Sequence, residues 1–330
     1  MNYWCGRSVV GGHKGLFEKI ISLENLLAAW KEFKRGKTRK SDVQEFYSTL
    51  EENIFEIHKA LAGKTYQSSA YVSFYICDPK LRHIHKASVR DRVVHQAIFR
   101  VLYPIFDTQF INDSYSCRDG KGTHRGVRQL QRYARKVTAN HTREAFALKC
   151  DVKKFFSSVD HATLIRLLRR HVRDDETLWL LQKIIASYEP EPGKGLPLGN
   201  VTSQLFANIY LNELDQWAKH SLKARYYLRY CDDFIVLHES RDYLASSIPS
   251  IKYFLANNLH LTLHPNKIIL RKVRQGVDFL GYVVLPHAVM LRTRTKRRML
   301  KRLSPKNLQS YLGVLTHANA RKLREKILSK

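Results

Sequence analysis

The chain has 330 residues, 44% of them hydrophobic, enough to bury a sizeable core as one multi-lobed unit or two domains. Its 57 Lys and Arg against 29 Asp and Glu leave a net charge of +28, a self-repelling excess that points to a polyanionic partner. No apolar run is long enough to span a bilayer and the N-terminus does not read as a signal peptide, so a cytoplasmic protein that binds nucleic acid is expected and membrane insertion is not.

The first residues carry little pattern beyond a loop at Gly11-Gly12. Helical spacing then begins after a Ser22 cap, with Leu23, Leu26, Leu27, Trp30 and Phe33 on one face. A basic run, Lys34–Lys40, interrupts it. A second helix is predicted with Val43, Phe46, Leu50, Ile54, Ile57 and Leu61 on one side and Gly63 at its end. Residues 66–85 alternate in the β manner around Asp78-Pro79, predicting a hairpin. The H-x-H of His83 and His85 reads as surface histidines. Ser88–Phe106 reads as a helix, with Arg90 and Arg92 near its start, where free N–H groups favour anions. Ser114–Gly126 is a Gly-rich basic loop without Walker spacing, and Val127–Lys136 a basic helix.

Ala145–Cys150 is predicted as a short buried strand with Asp151 at its end. Two helices follow, Asp160–His171 and Glu176–Ser187. A loop then enters LPLGNVTSQ (Leu196–Gln204), which continues as a helix over Thr202–Trp217. The organising stretch is Arg225–His238, RYYLRYCDDFIVLH: two β-favouring runs flank a break at Cys231-Asp232-Asp233. Adjacent carboxylates repel unless a cation sits beside them. A lone pair of this kind is compatible with a solvated turn; a strand-end Asp151 beside it can complete a site for divalent cations. Oxygen ligands suit Mg²⁺, and two ions about 3.5–4 Å apart stabilise the attacking and leaving oxygens of a phosphoryl displacement. The expected chemistry joins a 3′-hydroxyl to a nucleoside triphosphate.

Asp242–Leu255 reads as helical, and Lys267 lies in the following strand or loop. Residues 291–330 hold 13 Lys and Arg against one acid, Glu325, with leucines spaced for the packing face of short helices. The five cysteines, Cys5, Cys77, Cys117, Cys150 and Cys231, are odd in number and never closely spaced, so reduced thiols are expected rather than disulfides or zinc.

Asp151 with Phe156 five residues on, the Gly199–Gln204 segment, and YCDDF resemble the palm motifs of reverse transcriptases. Most of these carry Gln-Gly and Ser-Pro where this chain has Leu198-Gly199 and Ser203-Gln204, and that departure resembles the reverse transcriptases of diversity-generating retroelements. The resemblance covers about residues 20–325. It implies an α+β right-hand fingers–palm–thumb fold with an antiparallel palm sheet and a small helical thumb. The implied division is an N-terminal helical extension (1–65), fingers and palm (66–285) and a short basic thumb (286–330).

The site residues carried over are as follows. Asp151, Asp232 and Asp233 are catalytic and hold two Mg²⁺ ions, with a backbone carbonyl lent by Val152. Arg90, Arg92 and Lys86 meet the triphosphate, or form a solvated basic face. Phe155 and Phe156 lie at the nucleotide. Phe156 sits under the sugar and excludes a 2′-hydroxyl, though one of the two rings is also expected in the core. Leu198 and Gly199 brace the template–nucleotide pair, and an aliphatic Leu198 in place of an amide relaxes its checking. Lys267 assists pyrophosphate departure, or is a surface lysine. Arg118, Lys121, Arg125, Ser203, Gln204 and Tyr230 contact template or primer, and Phe279, Leu280 and Gly281 shape the primer terminus.

The implied function is error-prone copying of a template-repeat RNA into cDNA, mutagenic at adenines. Its partners would be that retroelement RNA, the RNA–cDNA hybrid, deoxynucleoside triphosphates and an oligomeric accessory variability determinant protein. Two rivals stand beside it. One is a reverse transcriptase of retron or group II intron type, against which Leu198, Gln204 and the short C-terminus speak. The other is a non-catalytic RNA-binding scaffold, which gains nothing from clustered carboxylates facing a polyanion.

Overall fold

A computed structural model describes residues 13–77 and 81–328. The chain forms two compact units. The first is built from residues up to Phe110 with Lys154–Glu213 and Ala256–Leu261; the second from Ile111–Lys153, Leu214–Leu255 and Thr262 onward. Each unit is assembled from segments distant in the chain.

In the first unit, helices Leu16–Ile21 and Leu23–Phe33 pack on Val89–Asp107. Ser22 caps as expected: its hydroxyl accepts from the Asn25 N–H at 3.2 Å, and Leu26, Ala29, Trp30 and Phe33 are buried. The predicted single helix from Val43 to Gly63 is two, Ser41–Ser48 and Leu50–Ala62. The break falls at Thr49 (φ −124°), where the Asn53 amide donates to the Phe46 carbonyl at 3.0 Å and takes it from the helical ladder. Strands β1 (Val72–Cys77) and β2 (Leu81–Lys86) pair antiparallel; the expected break at Asp78-Pro79 and the Gly11-Gly12 loop lie outside the described residues. His85, expected on the surface, is 9% exposed and bonds both Tyr188 and Ser73, while His83 stacks on Tyr75. Helices His161–Arg169 and Asp175–Ala186 are capped by the Asp160 and Asp174 carboxylates.

The second unit carries the palm sheet, in the order β4-β5-β3-β6, with β3 Phe146–Asp151, β4 Tyr226–Tyr230, β5 Asp233–His238 and β6 Ile269–Lys272. All its pairings are antiparallel. Residues alternate between faces, so Ala147, Ile235 and Leu237 join one cluster with Leu228, Val127, Leu130 and Ala134, the last three from helix Thr123–Val137. A second sheet, β7 (Val277–Phe279), β8 (Tyr282–Val284) and β9 (Val289–Leu291), adds Phe279 and Tyr282 to the same cluster. So do Met299, Leu315 and Ile327, from helices Thr293–Lys301, Pro305–Leu315 and Arg321–Leu328. The chain beyond β8 thus supplies a third strand to this sheet, and the terminal helices share its core. Among the described residues, no helix is long and apolar enough to cross a membrane, and Cys77, Cys117, Cys150 and Cys231 are free.

Candidate active site

Strand register brings the expected carboxylates together. Asp151, the last residue of β3, is the direct cross-strand partner of Asp233, the first residue of β5, which places their Cβ atoms about 4.5–5.5 Å apart on one face. Tyr230 also pairs with Asp233, so the hairpin turn is the two residues Cys231-Asp232, with Cys231 at φ +54°. That left-handed residue is what a tight two-residue hairpin requires, and it leaves Asp232 at the tip. The turn is tied to β3: Val152 N–H donates to the Asp232 carbonyl at 3.2 Å. Asp151 is fixed from the other side, its carbonyl accepting from the His264 N–H at 2.8 Å.

Two lysines enter this site. Lys267, in the short helix Pro265–Lys267, lies 2.5 Å from Asp151 Oδ2. Lys149, two residues before Asp151 and on its face, lies 3.0 Å from Asp233 Oδ2 and donates to the Asp278 carbonyl at 3.0 Å. Asp233 Oδ1 is buried without a partner. Burial, above all, pushes the Asp233 carboxyl up to about 6 against the pull of Lys149, with Asp151 and Asp232 adding to the rise. Burial, then the charge of Asp151, raises Asp232 as well.

An orphaned buried carboxylate oxygen beside two more carboxylates is a site short of positive charge, and hard oxygen donors fit Mg²⁺. Among the described residues no group of three His, Cys, Asp or Glu side chains is placed to hold a metal ion. Two of the three carboxylates are turned to lysine ammonium groups instead, and Mg²⁺ itself keeps several waters and takes few protein ligands.

The raised carboxyl has a measurable consequence. A carboxyl that binds its proton more tightly when folded stabilises the fold fully below its ordinary value of 3.8, and that contribution is lost as pH rises through about 6. Asp233→Asn is therefore expected to stabilise the metal-free protein at pH 7.5 by an amount on the order of 3 kcal/mol, about 1.4 kcal/mol per unit. The gain should vanish near pH 4. Urea titrations in EDTA at the two pH values check this; an equal gain at both contradicts it.

The other expected contacts divide between the units. In the second unit, Arg118 donates to the carbonyls of Ile111 (2.7 Å) and Ser114 (3.2 Å), and Lys121 to Asn112. Both brace their own loop, and Arg125 is exposed. Tyr230 accepts from the Thr123 hydroxyl at 3.4 Å. Leu280 (φ +52°) and Gly281 (φ +89°) form the two-residue turn between β7 and β8, both left-handed as such a turn demands, with Phe279 buried beneath.

In the first unit, Phe155 is the core ring (2% exposed) and Phe156 the half-buried one. Arg92 is paired with Asp42 at 2.7 Å, as is Lys86, and Arg90 lies over the Tyr66 ring and donates to Gln67. All three have partners within the unit, Asp42 being supplied by the helix Ser41–Ser48. The Leu198 carbonyl accepts from the His85 N–H at 3.2 Å. Gly199 holds φ +122°, a conformation that side chains avoid. Ser203 is buried and Gln204 exposed.

Sequence reasoning missed Lys149 and a buried group behind the hairpin. Arg229 of β4 and Asp215 of helix Val201–His220 form an ion pair with both side chains at 0% exposure, joined by the Tyr227 hydroxyl. The period of two linking Lys149 to Asp151, and Arg229 to Tyr227, was the available signal.

The structure is a mixed fold with an antiparallel sheet that carries a strand-end aspartate opposite an Asp-Asp hairpin. The family model for reverse transcriptase (RNA-dependent DNA polymerase) matches residues 78–284, more than half of the chain, and the chain belongs to that family. Protein YkfC of Escherichia coli (strain K12) is 27% identical over 241 residues, 62% of this chain and 63% of that protein. The group II intron-encoded protein LtrA of Lactococcus lactis subsp. cremoris is 22% identical over 303 residues, 70% of this chain and 49% of that protein. The chain thus spans about half to two thirds of these relatives. Among solved structures, apo telomerase from Candida tropicalis, truncated from the C-terminal domain, aligns with a TM-score of 0.50 at 13% identity. That alignment covers 73% of this chain and 60% of that one. The fold is the right-hand fingers–palm–thumb polymerase fold.

Proposed function

We propose that the chain polymerises DNA on an RNA template by Mg²⁺-dependent nucleotidyl transfer, and that it does so as the error-prone enzyme of a diversity-generating retroelement. The observation that carries the catalytic reading is the cross-strand pair Asp151–Asp233 beside the Cys231-Asp232 turn. Asp151 and Asp232, with the Val152 carbonyl, are the groups that would hold two Mg²⁺ ions. When bound, such ions neutralise charge on the reacting phosphate and align the in-line displacement. Asp233 adjusts the local field through Lys149, and Lys267 is the proton donor within reach of departing pyrophosphate. Phe156, half-buried, is the ring that selects deoxynucleotides by excluding a 2′-hydroxyl.

The subtype rests on Leu198 and Gln204. Leu198 cannot offer a side-chain hydrogen bond to the template–nucleotide pair, and losing one such contact relaxes discrimination by roughly 1–3 kcal/mol, one to two decades in error rate. Leu198→Gln is expected to lower misincorporation opposite template adenine by about tenfold or more; sequenced products with an unchanged error spectrum contradict that role. The partners in this reading are the template-repeat RNA, the RNA–cDNA hybrid, deoxynucleoside triphosphates and the accessory variability determinant protein.

A second reading, a group II intron type reverse transcriptase, is favoured by the likeness to LtrA. Primer extension on a structured RNA, with and without an accessory protein, separates the two. Adenine-directed errors support the retroelement reading, uniformly faithful cDNA the intron reading, and absence of any templated cDNA overturns both.

A further inference from the structure

Arg229 is the residue before the Tyr-Cys-Asp-Asp turn, and its guanidinium is wholly buried. Nε and Nη2 hold the two Asp215 oxygens at 2.7 and 2.6 Å, the bidentate geometry that fixes a guanidinium plane. Nη2 also donates to the Ser114 hydroxyl at 3.1 Å, and Nη1 donates to the Cys231 carbonyl at 3.0 Å. The same Asp215 accepts from Tyr227 at 2.6 Å. Cys231 carries the left-handed backbone of the turn, and the peptide whose carbonyl Arg229 grips is the one that leads into Asp232.

A buried ion pair is commonly replaceable by apolar residues without loss of stability, so core packing alone does not call for one here. What an apolar pair cannot supply is a donor to a strained turn carbonyl. We propose that Arg229, oriented by Asp215, is a positioning residue for the polymerase reaction. In this assignment it fixes the Cys231–Asp232 peptide and so aims the Asp232 carboxylate. This rests on the catalytic reading of Asp232 given above.

Two double variants of the full chain test it. Arg229→Met with Asp215→Leu removes both the charges and the donor; Arg229→Gln with Asp215→Asn removes the charges but keeps an amide that can donate to Cys231. Primer extension on an RNA template is measured against Mg²⁺ concentration, alongside thermal unfolding and binding of an RNA–DNA hybrid. The expected result is that both variants fold and bind hybrid like the wild type. The Met/Leu pair should lose about tenfold or more in kcat and need more Mg²⁺ for half-maximal rate, while the Gln/Asn pair recovers most of both.

Equal kcat in the two folded variants, or wild-type kcat in the Met/Leu pair, overturns the proposal. Should the Met/Leu pair not fold, Arg229→Lys takes its place, since one ammonium cannot span Asp215 and the Cys231 carbonyl as the guanidinium does; wild-type kcat and Mg²⁺ dependence there overturn it equally. If the wild type itself extends no primer, the catalytic reading fails instead.

Discussion

Asp232→Asn is expected to reduce Mg²⁺-dependent primer extension by about 10³-fold or more while leaving RNA affinity within about twofold. The two effects separate because the residue sits at the tip of a two-residue turn whose carbonyl is bonded to Val152. An amide fills the same space and leaves that backbone bond intact. Removing the charge relieves repulsion from Asp151 and Asp233, so the variant should fold at least as well as the wild type. A polyanion gains nothing from a nearby carboxylate, so hybrid binding has no reason to fall. Extension by the variant at the wild-type rate would remove the catalytic assignment of Asp232.

The second large effect is on salt. Residues 291–330 carry 13 Lys and Arg against Glu325 alone. Their apolar side is spent in the core through Met299, Leu315 and Ile327, while Arg294, Arg297, Lys301, Lys306, Lys322 and Arg324 are exposed. Neutralising 6–10 phosphates releases as many counterions, so affinity for an RNA–DNA hybrid should fall by about 10³–10⁵ between 50 and 200 mM salt. Each of Arg294→Ala and Arg297→Ala should flatten the log–log slope by about one and weaken binding without regard to sequence. A slope near zero would contradict an electrostatic grip.

Much of this was legible in the chain because local rules and tertiary packing agree there. The β-favouring runs Ala145–Cys150, Tyr226–Tyr230 and Phe234–Leu237 predict the strands, while the register that sets Asp151 against Asp233 is seen only in the structure. Ser22, Ser88 and Asp160 announce helix starts, whereas the Asp174 cap lies two residues before the expected start at Glu176. What the sequence hid were partnerships between distant residues. Nothing in the spacing tells Arg92 that it will meet Asp42, or Arg118 that it will brace its own loop carbonyls. In the sequence Lys149 and Arg229 are strand members and no more, since a charge inside an apolar run reveals its partner only when the second chain segment is in place. The helix break at Thr49 depends on one amide, Asn53, outbidding the backbone for a carbonyl, a competition that periodicity does not register.

The most direct test is a crystal structure with Mn²⁺ and a deoxynucleoside triphosphate, read by anomalous scattering. The metal peaks are expected between Asp151 and Asp232, with the Lys267 ammonium drawn off the Asp151 carboxylate that it now holds at 2.5 Å. Peaks elsewhere, or none with Lys267 still seated on Asp151, would contradict the claim that these aspartates form the metal centre of a polymerase.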